Sequence, residues 1–96
     1  MTILSRFIIS GHSMEPTLKT KDTVLVSFLP YLFSTPKKGD IVAIKDPRDN
    51  KVLIKRITNI ENNTYFIEGD NKQHSTDSRK FGMIGRDLII GKVISI

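Results

Sequence analysis

Val52-Leu53-Ile54-Lys55-Arg56-Ile57-Thr58-Asn59-Ile60 contains no Gly or Pro and is dense in β-branched and aliphatic side chains, a composition that predicts a β-strand. Alternation along a strand puts Leu53, Lys55 and Ile57 on one face and Val52, Ile54, Arg56 and Thr58 on the other. Runs of the same kind recur at residues 3–10, 23–28, 40–45, 64–68 and 88–96, separated by Pro, Gly, Asp and Asn clusters. Asp46-Pro47-Arg48-Asp49-Asn50 reads as a hairpin turn and Glu61-Asn62-Asn63 as a second. Asn62-Asn63-Thr64 also fits a glycosylation sequon. The expected fold is mainly β, a small antiparallel or mixed sheet, with its one helical turn just after Ser13.

The chain of 96 residues is long enough for a single modest core, so one domain over residues 1–96 is expected, and a monomer. Hydrophobic residues make up 39% and charged residues 26%, ordinary globular proportions that argue against a disordered segment. The absence of Cys excludes disulfides and thiolate metal sites. No zinc or calcium spacing occurs, and no cofactor is expected. The net charge of +5 comes from Lys and Arg spread along the whole chain. That distribution gives no stripe for a nucleic-acid groove, while attraction to an anionic membrane surface fits it. Phe28-Leu29-Pro30-Tyr31-Leu32-Phe33 is the most apolar loop. It is too short to cross a bilayer, which takes about 20 apolar residues. Either it dips into a membrane interface or it closes one end of the sheet.

Ser13-Met14-Glu15-Pro16-Thr17-Leu18 precedes Lys55 by 42 residues, counted from Ser13. A serine hydroxyl is nearly inert at neutral pH and needs a base. A lysine serves as one only if burial removes its proton. Between Leu53 and Ile57 on an apolar face, Lys55 would lose hydration and its pKa would fall. Alternatively Lys55 lays its stem over those neighbours and lifts its amine to water, and Ser13 is a turn or cap residue, as Thr17 and Thr23 are.

A third segment completes a pattern. Gly69-Asp70-Asn71-Lys72-Gln73-His74-Ser75-Thr76-Asp77-Ser78-Arg79 follows the strand at 64–68 and is crowded with polar side chains. Together with Gly11-His12-Ser13-Met14-Glu15-Pro16-Thr17-Leu18, Lys38-Gly39-Asp40-Ile41-Val42 and Ile54-Lys55-Arg56-Ile57, it resembles the type I signal peptidase family of serine/lysine proteases. The resemblance runs from about Phe7 to Val93. It implies Ser13 as nucleophile, Lys55 as general base, Ser75 as a hydroxyl on the lysine amine, and an Asp77–Arg79 ion pair bracing the site. It also implies shallow apolar pockets formed by Phe7, Ile9, Met14, Leu18, Leu53 and Ile54, cutting precursor proteins after small residues. Bacterial members often carry Ser or Thr where this chain has Gly11, so Ser13 N–H or Ser10 would carry more of the oxyanion stabilisation. The Gly-x-Ser-Met-x-Pro-Thr pattern is similar to mitochondrial inner-membrane peptidases and nickel superoxide dismutase maturation proteases. Only Thr58 to Glu68 separates the lysine and Gly-Asp-Asn blocks, so a minimal catalytic core is implied.

Members of that family normally have an N-terminal anchor and act at the outer face of the cytoplasmic membrane. Arg6 interrupts the first apolar segment, so an anchor absent from this sequence, or an anchorless cytoplasmic form, is expected. Three alternatives compete. A self-cleaving LexA-type domain shares the serine and lysine segments but would need a DNA-binding domain or cleavable arm, and lacks the Gly-Asp-Asn block. A histidine-based triad or metal site would use His12 or His74 with Asp70 or Asp77. A small basic barrel binding single-stranded nucleic acid would align Phe28, Tyr31, Tyr65 and Phe66 on one face and leave Ser13 far from Lys55.

Overall fold

The computed structural model of the chain describes residues 4–95; the first residue of the first expected strand, Ile3, and the last of the final one, Ile96, lie outside them. The strands are β1 (Leu4–Ile8), β2 (Thr23–Ser27), β3 (Ile41–Lys45), β4 (Val52–Glu61), β5 (Thr64–Glu68), β6 (Ile84–Gly85) and β7 (Ile89–Ser95). They form one seven-stranded sheet in the order β1-β2-β7-β3-β4-β5-β6. Every pairing is antiparallel, so the mixed alternative does not apply.

Local chemistry explains the hairpins. Asn62 and Asn63 both take left-handed backbone, with φ of 48° and 63°, which a two-residue turn matched to the strand twist requires and which Asn tolerates. The pair is therefore a hairpin tip, as its spacing implied. In the β3–β4 turn the Asn50 N–H donates to Asp46 O at 2.8 Å. The Arg48 guanidinium forks onto the buried Asp46 carboxylate at 3.0 and 2.7 Å, holding that carboxyl below the ordinary range against the opposing cost of burial.

Helical structure departs from expectation. Residues 12–18 form successive turns, closed by Glu15 N–H to His12 O at 3.2 Å and Leu18 N–H to Met14 O at 2.9 Å, without a helix. The helical segments are instead the one-turn α1 (Pro30–Phe33) and α2 (Ser78–Phe81), with 3-10 turns at Lys72–His74 and Arg86–Leu88. Pro30 presets the first turn of α1. The Asp77 side chain accepts from Arg79 N–H at the start of α2, and Gly82, at φ 84°, ends it.

Two buried clusters lie against the sheet. One gathers Tyr31, Val42, Ile44, Ile57, Tyr65, Ile67, Ile84 and Ile89; the other gathers Ile9, Met14, Leu18, Val24, Val26 and Ala43. Successive residues of β3 thus serve different clusters, and Val42, Ala43 and Ile44 are all fully buried. The apolar loop at 28–33 divides in the same way. Tyr31 enters the first cluster, whereas Leu32 and Phe33 are 62% and 85% exposed.

Candidate active site

Met14 and Leu18 anchor the turn that carries Ser13 by inserting into the second cluster. The turn is also tied from across the molecule. Asn71 N–H donates to Ser13 O at 2.8 Å, Asn71 Nδ2 donates to His12 O at 3.0 Å, and Asp70 N–H points at Met14 Sδ at 3.4 Å. Asp70 in turn receives the Arg56 fork, two bonds of 2.9 Å, and the Thr17 hydroxyl. Those donors, Arg56 first, hold the Asp70 carboxyl below its usual range despite partial burial. The segment after β5 is therefore a seat for the serine turn rather than a solvated loop.

Lys55 faces Val42 across the β3–β4 ladder. It is 3% exposed, and its Nζ donates to Ser13 Oγ at 2.7 Å. Burial lowers the lysine pKa, the Asp77 charge opposes that shift, and the Arg79 charge reinforces it. Lys55 is thus buried, and the reading in which its amine reaches water is overturned. Among the described residues no buried side-chain polar atom lacks a partner.

Asp77 is the hub behind this pair. Its side chain is fully buried and accepts from Gly69 N–H at 2.8 Å, Ser75 Oγ at 2.7 Å and Arg79 Nε at 3.0 Å. Burial alone would raise its pKa, but those donors outweigh it and hold the carboxyl at about 2. The Asp77–Arg79 pair forms as the resemblance implied. Ser75, by contrast, spends its hydroxyl proton on Asp77, and no bond links it to Lys55 among the described residues. Gly69 is packed between the two sides: a Cβ there would lie 2.3 Å from Ser75 Oγ and 2.5 Å from Ser13 O.

A cleft of about 140 Å³ opens beside Ser13 and Lys55, lined by Phe7, Ile8, Ile9, Met14, Leu53 and Ile54 among others. Leu18 does not line it. It is fully buried in the second cluster, because the turn that exposes Ser13 carries Leu18 inward. Gly11 sits at φ 87° with open space where a Cβ would stand. The left-handed backbone favours glycine there and makes a Ser or Thr at this position strained. The Ser13 N–H has no acceptor among the described residues, so it is free to donate.

The histidine readings fail on geometry. His12 is engaged with Glu15 at 2.9 Å and is 62% exposed, His74 is exposed, and Asp70 and Asp77 are committed to arginines. No group of metal-ligating side chains occurs among the described residues. The nucleic-acid reading fails as well, since Tyr31 and Tyr65 are core residues. Arg56 and Thr17 were not assigned to the site from sequence, and Asp70 only as a partner for a histidine. The signal was present in an Arg next to Lys55 and an Asp in a Gly-Asp-Asn block, but which of the two acids each arginine takes is a tertiary matter.

The sequence profile described as "Signal peptidase, peptidase S26" matches residues 1–61 and 57–96. The chain is 34% identical to "Mitochondrial inner membrane protease subunit 1" of Xenopus tropicalis, over 90% of this chain and 64% of that protein. To "Mitochondrial ATP-independent inner membrane protease subunit 1a" of Arabidopsis thaliana it is 34% identical, over 96% of this chain and 72% of that protein. "Signal peptidase I" of Leptolyngbya laminosa is 24% identical, over 90% and 64% respectively. The chain spans slightly under two thirds of the length of the Xenopus, mouse and human subunit 1 proteins it matches.

Proposed function

The chain belongs to the signal peptidase family, peptidase S26, and from that membership we propose that it is a serine endopeptidase in which Lys55 activates Ser13. The observation that carries the reading is the 2.7 Å approach of a buried lysine amine to the serine hydroxyl. Neutral Lys55 takes the Ser13 proton as Oγ attacks the scissile carbonyl carbon. The tetrahedral intermediate then collapses, and the ammonium returns that proton to the departing amine. Water, deprotonated by Lys55, hydrolyses the acyl-enzyme and regenerates Ser13. The Ser13 N–H supplies one oxyanion donor, a contribution typically of about 3 kcal/mol in the transition state.

Asp77 acts behind this pair. Its charge offsets part of the burial that lowers the Lys55 pKa, while its bonds to Gly69 and Ser75 fix the wall against which the Ser13 carbonyl rests. The substrate is an extended segment of a precursor protein with small residues before the cut. The cleft's modest size and its apolar lining by Phe7, Ile9, Met14, Leu53 and Ile54 favour such side chains. A location at a membrane follows from the relatives described as inner membrane proteases, and no helix among the described residues is long and apolar enough to cross one. Ser13, Lys55 and Asp77 all come from one chain, so the proposed dyad needs no residue of a second copy.

The test is cleavage of a precursor peptide with an Ala-x-Ala site. Wild type is expected to cut after the second Ala, and Ser13→Ala and Lys55→Ala to lose at least 1000-fold in kcat. Retention of activity in Lys55→Ala, or its loss in His74→Ala, would overturn the assignment.

A further inference from the structure

Leu29, Leu32 and Phe33 stand at i, i+3 and i+4 across α1, the spacing that gathers side chains on one face of a helical turn. They are 42%, 62% and 85% exposed. Singly exposed apolar residues are unremarkable, but three on one face form a patch. The patch is also held rigidly. Tyr31 points the opposite way into the core, its hydroxyl donates to Asp40 at 2.6 Å, and Arg86 lies 5.4 Å over its ring. Ser34 N–H closes the turn on Pro30 O at 3.1 Å. A loop that merely shed unfavourable surface would turn Phe33 inward; here the anchor fixes it outward.

The surrounding charge is one-sided. Residues 28–39 contain no Asp or Glu, and Lys37 and Lys38 follow the turn, both exposed. The next acid along the chain, Asp40, is occupied by Tyr31 and lies 3.7 Å from Lys92 Nζ. Leu4, 43% exposed, pairs with Ser27 at the base of the same turn. Exposed apolar side chains followed by two exposed lysines match the boundary between anionic headgroups and acyl chains.

We propose that the Pro30–Phe33 turn is an interfacial foot that seats this chain on an anionic lipid bilayer, with Leu29, Leu32 and Phe33 entering the acyl boundary and Lys37 and Lys38 meeting the headgroups. The inference goes beyond the peptidase reading and does not rest on it.

The full chain contains no Trp, so Phe33→Trp gives a single reporter. With vesicles of phosphatidylcholine and phosphatidylglycerol at low salt, its emission is expected to shift to the blue and to be quenched by brominated acyl chains. Co-sedimentation should weaken several-fold in pure phosphatidylcholine, at high salt, and in Lys37→Gln/Lys38→Gln. In Leu32→Ser/Phe33→Ser it should fall at least tenfold, with thermal unfolding and soluble-peptide cleavage as in wild type. An unshifted emission from the Phe33→Trp variant, undiminished binding of the double serine variant, or equal binding to neutral vesicles would overturn the proposal. So would a wild-type dimer that the serine variant dissolves, which would make the face an interface between copies. If wild type binds vesicles but cuts no peptide, the peptidase reading fails and the foot stands.

Discussion

In the proposed mechanism Lys55 must be neutral to work, and that is a burden on the fold that holds it. Burial lowers the Lys55 pKa in the native state, while in the unfolded chain it returns to about 10.4. Between the native value and about 10.4 the unfolded chain binds more protons, so folding stability rises with pH across that window and the penalty is complete below it. Lys55→Met is expected to abolish cleavage yet raise the melting temperature at neutral pH by several degrees, with the gain shrinking towards pH 10; calorimetry across pH checks both. Asp77 shifts stability in the same sense but in an acid window, because its native pKa of about 2 also lies below its unfolded one. Its stabilisation, about 2 kcal/mol, is full above pH 4 and is lost as the pH falls towards 2. Asp77→Asn removes that acid-dependent part, and it also removes the negative charge that opposes the Lys55 shift. The rising limb of kcat/KM is therefore expected to move to lower pH, measurable in any residual activity, whereas a limb unmoved by this variant would disconnect Asp77 from Lys55.

At the scale of elements, the site depends on how closely the segment after β5 approaches the serine turn. A methyl group at Gly69 would meet the backbone oxygen of Ser13 at 2.5 Å, and a backbone atom cannot swing away as a side-chain end can. Gly69→Ala is expected to cut kcat at least tenfold by lifting the serine from Lys55, with a smaller effect on KM, read from steady-state kinetics. The hairpins make a contrasting case. Asn63, at φ 63°, occupies the position where Gly is preferred, so Asn63→Gly should stabilise the chain by about 0.5 kcal/mol in urea titration without touching activity. What sequence could reveal follows the same division. β4 and its Asn-Asn turn were legible because period-two patterning and left-handed turn residues are local signals. The two-residue β6 and the single turns α1 and α2 were not, since Tyr31 and the Asp77 hub fix them by contacts distant in sequence. The approach of Ser13 to Lys55 could be anticipated from motif and burial pattern. Leu18 was misread because proximity to the nucleophile along the chain does not say which way a turn points its side chains, and Ser75 because a hydroxyl's partner is chosen by three-dimensional competition.

For the molecule as a whole, 96 residues support only two modest clusters, and a chain of this size has about 5–10 kcal/mol to lose. Leu18→Ala is expected to cost about 3 kcal/mol and to release the serine turn before the sheet melts, visible as lost activity at temperatures where circular dichroism is still native. The strand order carries a further consequence. β7 lies between β2 and β3, so among the described residues it is the only strand joining the pair β1–β2, next to the Ser13 turn, to the meander β3–β4–β5, which bears Lys55. During synthesis the two halves leave the ribosome long before their connector. Non-local pairing of this kind is slow to form, and here it cannot finish until Ile89–Ser95 has emerged. A nascent chain thus holds Ser13 and Lys55 on separate pieces of sheet, and the proposed dyad assembles only once Ile89–Ser95 has joined them.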